Sequence, residues 1–121
     1  MRVTRDPECE NRIEMNALVD TYSSEEALSG WYSYLEDELE FPFSIIAQGE
    51  KILITVLAEI EKFDGDFYVY GKAKKGNFAI GLSEVQLVEA SMQTEQVIKD
   101  WLYFTKIGDN YSLLEENEYD L

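Results

Sequence analysis

Gly30-Trp31-Tyr32-Ser33-Tyr34-Leu35-Glu36-Asp37-Glu38-Leu39-Glu40-Phe41-Pro42-Phe43 is where the apolar pattern of this chain changes period. Leu28, Trp31, Tyr32, Leu35 and Leu39 recur at three- and four-residue steps, which predicts one face of a helix. Ser23-Ser24-Glu25-Glu26 supplies its start, because Ser23 and Glu26 have the spacing of a capping box. Pro42 disfavours helical backbone at Phe41 and closes the helix. From Phe43 onward the apolar residues alternate instead, as strands do. A helical unit followed by a sheet predicts an α+β fold.

Chemistry converges on the same stretch. Glu36, Asp37, Glu38 and Glu40 crowd the end of the helix, where the macrodipole is already negative and carbonyl oxygens lack partners. Glu36 and Glu40, four residues apart, are expected to project from a shared face and repel each other. Crowded anionic oxygens suit a hard cation such as Ca2+, which would relieve that repulsion.

Downstream, residues 43–48 read as a short strand and Gly49-Glu50 as a turn. Residues 52–60 are almost continuously apolar and β-branched, which predicts a central strand buried on both faces. Lys62-Phe63-Asp64-Gly65-Asp66 has hairpin chemistry around Asp-Gly. Residues 67–73 alternate, with Phe67, Val69 and Gly71 on one side and Tyr68, Tyr70 and Lys72 on the other. Lys75-Gly76-Asn77 predicts a second tight turn, after which Phe78, Ile80 and Leu82 face inward. Gly71 and Gly81 within strands suggest bulges or the sharp coiling of a small barrel. Residues 83–88 read as a short turn leading into a last strand or edge segment.

Helices flank these strands. Asp6-Pro7 predicts a helix start, and Ile13 and Ala17, with Met15 and Leu18 as further members, an apolar stripe over residues 7–19. Residues 19–22 are either the end of that helix or extended, since β-branched residues enter there. Thr94-Glu95 opens a helix whose Val97, Ile98, Trp101, Leu102 and Thr105 share a face. Lys106 and Gly108 give it a favourable end, the opposite of the acid-laden end at Glu40. Residues 1–108 form one domain, and residues 109–121 a tail with five acids, no base, and Tyr111, Leu113, Leu114 and Tyr119 that could dock on the domain.

The 121 residues include 25 acidic and 10 basic ones, for a formal net charge of −15. Such a surface repels nucleic acid and anionic lipid, so direct binding to either is not expected, whereas metal cations or a basic protein partner are attracted. Histidine is absent and Cys9 is the single cysteine, which argues against His-based catalysis, zinc sites and a disulfide framework. Cys9 lies among Glu8, Glu10 and Glu14 and is expected to be inert. No signal core or membrane-length apolar run is visible, so a cytoplasmic location is the expectation. Paired carboxylates of a glycosidase need a cleft with differently tuned acids, which a small chain with clustered acids does not suggest, and no enzyme is expected. Asp64-Gly65-Asp66 lacks the EF-hand loop pattern, yet Asp64 and Asp66, with Glu59 and Glu61 nearby, are candidate oxygen ligands. Trp31, Tyr32, Tyr34, Trp101, Tyr103 and Phe104 fit core and rim packing at helical spacing.

The stretch from Gly30 to Phe43 resembles the signature of the small cyanobacterial calcium-binding protein family. The similarity extends over about residues 12–105, through Phe78-Ala79-Ile80-Gly81-Leu82-Ser83-Glu84-Val85 and the Asp100-Trp101-Leu102-Tyr103 helix. It implies a small SH3-like antiparallel barrel or meander with flanking helices, binding Ca2+ through surface carboxylates without an EF-hand. It also implies Glu36, Asp37 and Glu40 as matched acids, with Asp100 as the matched acid of the last helix. The hairpin over residues 61–66 is shorter than the family's, and the tail lies outside the pattern. The resulting expectation is a low-affinity Ca2+ buffer or sensor whose ligands are drawn from Glu36, Asp37, Glu40, Asp64, Asp66 and Asp100. The competing expectation is an acidic interaction module, such as a DNA mimic that blocks a basic nucleic-acid-binding partner.

Overall fold

Asp6 starts the first helix by accepting the Cys9 backbone N–H at 3.1 Å, with Pro7 behind it where no amide is needed. The computed structural model describes residues 6–18 and 23–106. α1 spans Pro7–Arg12 and runs into a π-helical turn, Ile13–Ala17, closed by Leu18 N–H donating to the Ile13 carbonyl at 2.8 Å. The single α-helix expected over residues 7–19 is thus corrected to an α segment with a widened end, and residues 19–22 lie outside the described part. α2 spans Ser24–Glu38, and Ser23 Oγ accepts the Glu26 N–H at 3.2 Å as its N-cap. α3 spans Met92–Lys106. It begins two residues before the expected Thr94, because Ser91 Oγ accepts the Thr94 N–H at 3.1 Å and serves as the cap. The tail, with its expected docking, lies outside the described residues.

Five strands make one antiparallel sheet: β1 Phe43–Ala47, β2 Glu50–Leu57, β3 Tyr68–Ala73, β4 Gly76–Gly81 and β5 Leu87–Glu89, in the order β4-β3-β2-β1-β5. β1 and β2 join through Gln48 and Gly49, whose φ of 54° and 75° make the left-handed turn that matches strand twist. The β3–β4 turn is Lys74-Lys75, one residue earlier than expected.

One face of the sheet carries Phe43, Ile45, Ile52, Ile54 and Val69 into the core. Trp31, Leu35 and Leu39 of α2, Val97, Ile98 and Trp101 of α3, and Cys9, Ile13 and Ala17 meet them there. Among the described residues the other face is open. β2 was expected to be buried on both sides, yet Leu53 and Val56 are 45% and 48% exposed, and the strand stops at Leu57. The inward residues are Ile52, Ile54 and Leu57, so the alternation slips by one between the second and third. A bulge causes the slip: pairing with β3 jumps from Ile54–Gly71 to Val56–Tyr70, leaving Thr55 as the extra residue. Gly71 is required opposite it, since a Cβ there would overlap the Leu53 carbonyl.

The expected tight Asp-Gly hairpin is also corrected. β2 and β3 are joined by a longer loop that contains a 3-10 turn, Ile60–Lys62, before Asp64 and Gly65. That loop descends beside α2 and α3, which determines what the acidic side chains can reach.

Candidate metal centre

The last turn of α2 carries Glu36, Asp37 and Glu38 with no base. Glu36 and Asp37 are exposed and Glu38 is half-buried. Leu39 turns to extended backbone (φ −73°, ψ 122°), so Glu40 has left the helix. The shared helical face expected for Glu36 and Glu40 is therefore corrected: Glu40 is fixed by its backbone N–H, which donates to Thr94 Oγ1 of α3 at 2.8 Å, while its side chain is exposed. Among the described residues no lysine or arginine pairs with Glu36, Asp37 or Glu40.

Glu36 has different company. Tyr32, one turn earlier on α2, donates its hydroxyl to the Ala58 carbonyl at 2.9 Å and so ties the helix to the β2–β3 loop. Burial is the main cause raising the Tyr32 hydroxyl pKa, and the charges of Glu36, Glu59 and Glu61 raise it further. Charges on two elements, α2 and the β2–β3 loop, thus act on one phenol. Reading the sequence locally links Glu59 and Glu61 to Asp64 instead; only the Tyr32 anchor across 26 positions reveals the association with α2.

Asp64 and Asp66 sit two residues apart but in different settings. Asp64 is exposed and accepts the Tyr68 hydroxyl at 2.9 Å. That bond is the first cause raising the Tyr68 pKa, with burial and the charges of Asp64, Asp66 and Glu84 adding to it. Asp66 is turned inward. Its Oδ1 accepts Trp101 Nε1–H at 2.8 Å and Phe67 N–H at 2.9 Å, and its Oδ2 accepts the Ser83 hydroxyl at 2.6 Å. A side chain on Gly81 would collide with that carboxylate, which accounts for the glycine.

Asp100 is not the surface carboxylate the resemblance implies, for it is 0% exposed. Arg12 grips it with two donors, Nη2 to Oδ1 at 2.7 Å and Nε to Oδ2 at 3.1 Å. The Tyr34 hydroxyl donates to Oδ2 at 2.7 Å and the Cys9 thiol to Oδ1 at 3.0 Å. Burial first, and then this bond to Asp100, pushes the Cys9 thiol up to about 12, in keeping with an inert thiol. The same two causes raise the Tyr34 hydroxyl. Arg12 lies 88 positions from Asp100, and nothing in the local pattern around either residue announces the pair.

The six candidate ligands therefore divide. Glu36, Asp37, Glu40 and Asp64 present carboxylates to solvent, whereas Asp66 and Asp100 receive protein donors on both oxygens. Among the described residues, no three side chains from His, Cys, Asp and Glu are grouped closely enough to hold a metal by themselves. The donors on offer are hard anionic oxygens, with no histidine in the chain and the cysteine buried. Such a set fits an alkaline-earth ion that completes its shell with water and backbone carbonyls.

An α+β domain with hard oxygen donors at one end thus has the chemistry of a cation-binding protein without an EF-hand. Residues 11–105 match the CcbP family, described as calcium binding, and the chain belongs to that family. The crystal structure of Anabaena CcbP is similar at 30% identity and a TM-score of 0.75, over 84% of this chain and 92% of that one. A calcium binding protein in the calcium-binding form is similar at 30% identity and a TM-score of 0.73, over 86% of this chain and 94% of that one. No curated protein matches the chain.

Proposed function

We propose that this protein binds Ca2+ through the exposed carboxylates between the last turn of α2 and the β2–β3 loop, as a low-affinity buffer or sensor. Membership of the calcium-binding family carries this reading, and it accords with a helix end that concentrates anions without a basic partner. Glu36 is the central ligand in this reading, with Glu59 and Glu61 of the tethered β2–β3 loop as its partners, and Asp37, Glu40 and Asp64 add exposed anionic oxygens. Asp66 and Asp100 act through the frame: one ties the loop to Trp101 and Ser83, the other ties α3 to Arg12 and Tyr34. With ligands on two elements and water filling the shell, affinity belongs in the loose range of about 10⁻⁵ to 10⁻³ M.

Amide chemical shifts followed during a CaCl2 titration test this directly, with MgCl2 as control. Saturable shifts over residues 36–40 and 58–64, larger with Ca2+ than with Mg2+, are the expected result. A flat response to millimolar Ca2+ would remove the proposal.

A further inference from the structure

The open face of the sheet is unusual for this molecule in both charge and polarity. Leu53 pairs with Lys72, and Val56 with Tyr70, so the four side chains share that face in adjacent rows. Ile46 pairs with Lys51 alongside them, and all of these but the half-buried Tyr70 are exposed. A shallow groove of about 440 Å³ crosses the same rows, lined in part by Val56, Tyr70 and Lys72. Lys74 and Lys75 follow in the adjoining turn, so four of the ten basic residues in a chain of net charge −15 gather at one end of one face. Lys51 has an ion-pair partner, Glu89, at 3.5 Å with both side chains exposed, where it contributes little.

Residues 107–121 continue from the end of α3. They contain Asp109, Glu115, Glu116, Glu118 and Asp120, no base, and the apolar side chains of Tyr111, Leu113, Leu114, Tyr119 and Leu121. This combination complements the open face twice, anion to lysine and apolar to apolar. Reach is no obstacle. Fifteen residues extend up to roughly 50 Å, whereas a domain of about 100 residues has a radius of gyration near 13 Å.

We propose that the lysine-flanked apolar face of the sheet is the docking surface for this chain's own acidic segment, residues 109–121. The contact covers Leu53 and Val56, and the lysines set its orientation and make it sensitive to salt. It uses none of the carboxylates assigned to Ca2+, so it stands whether or not that reading does.

A nitroxide placed at Ser112→Cys in the full chain tests the contact, since Cys9 is buried and leaves the new thiol as the reactive one. The amides of Leu53, Val56, Tyr70 and Lys72 are expected to lose at least about half their intensity at low ionic strength and to recover at several hundred millimolar NaCl, as screening shortens the Debye length. The Lys51→Glu/Lys72→Glu variant, altered only at exposed positions, should give the same recovery without salt. If bleaching falls on the helical layer, or on no amide of the domain, the proposal is overturned. Bleaching in a mixture of spin-labelled and isotope-labelled chains would assign the surface to the segment of a second copy and overturn the intramolecular contact. Should the charge-reversed variant fail to fold, the salt titration of the labelled parent still decides.

Discussion

Asp100 is the side chain on which α1, α2 and α3 converge. Its partners Cys9, Arg12 and Tyr34 come from two other helical segments, so a single carboxylate orients the helical layer over the sheet. Removing one member of such a pair costs more than the pair contributes, because the other is left charged and buried. Arg12→Met should therefore destabilise by about 3–5 kcal/mol in urea unfolding at neutral pH. Asp100→Asn should cost less, about 2–4 kcal/mol, since Arg12 at 26% exposure can turn its charge to water. The thiol gives a separate signature. Cys9 has its pKa raised from 9.0 to about 12, so between those values the unfolded chain has released a proton that the folded chain still holds. Stability from this group is complete below about pH 9 and falls as pH rises towards 12. Tyr34, raised for the same reasons, steepens the decline. Replacing Cys9 by alanine should make the alkaline limb of a stability-against-pH profile shallower, and an unchanged limb would reject this account.

Elements carry the charge logic. α2 starts well, with Ser23 capping and Glu25 and Glu26 in its first turn, and ends badly, with three acids and no base in its last. α3 ends with Lys106, the favourable arrangement. Glu36→Gln and Asp37→Asn should each stabilise the protein without metal by about 0.3–1 kcal/mol at low ionic strength, and less in salt. The same substitutions should weaken the response to Ca2+, so calorimetry must find the two effects together. Stabilisation without loss of Ca2+ binding would separate the helix-end repulsion from the metal. These helices were legible in the sequence because capping residues and three- to four-residue apolar steps are local signals. Trp31, Leu35 and Leu39 are buried as their spacing indicates. β2 was half legible. Its apolar run marked a strand and Gly71 hinted at a bulge, but that Thr55 is the extra residue, and so which residues face inward, depends on pairing with the neighbouring strand. The candidate site was legible as a place and not as a ligand set. The acids of α2 were conspicuous, yet the departure of Glu40 from the helix, the enclosure of Asp66 by Trp101 and Ser83, and the tie of the β2–β3 loop to α2 through Tyr32 all depend on contacts between distant residues.

For the whole molecule, charge is sorted along the sheet. The β1–β2 and β3–β4 turns lie at one end, joined by Lys74 N–H donating to Glu50 Oε2 at 2.7 Å, and bring Lys51, Lys72, Lys74 and Lys75 with them. The β2–β3 loop, which carries Glu59, Glu61 and Asp64, lies at the other end and is tied to α2 at Ala58. A formal charge of −15 on 121 residues strains the compact state by self-repulsion. Monovalent salt should relieve it diffusely, raising the melting temperature gradually as NaCl goes from about 20 to 300 mM. Ca2+ acts differently if it occupies a site: at ten times its dissociation constant it adds about 1.4 kcal/mol of stability, or roughly 5–7 °C for a domain of this size. That increment should appear on top of saturating NaCl, exceed the increment from equal Mg2+, and shrink in the Glu36→Gln variant. Melting curves that coincide for Ca2+, Mg2+ and NaCl at matched ionic strength would mean that the ion only screens, since a bound ion stabilises according to its own concentration and not to the ionic strength it contributes.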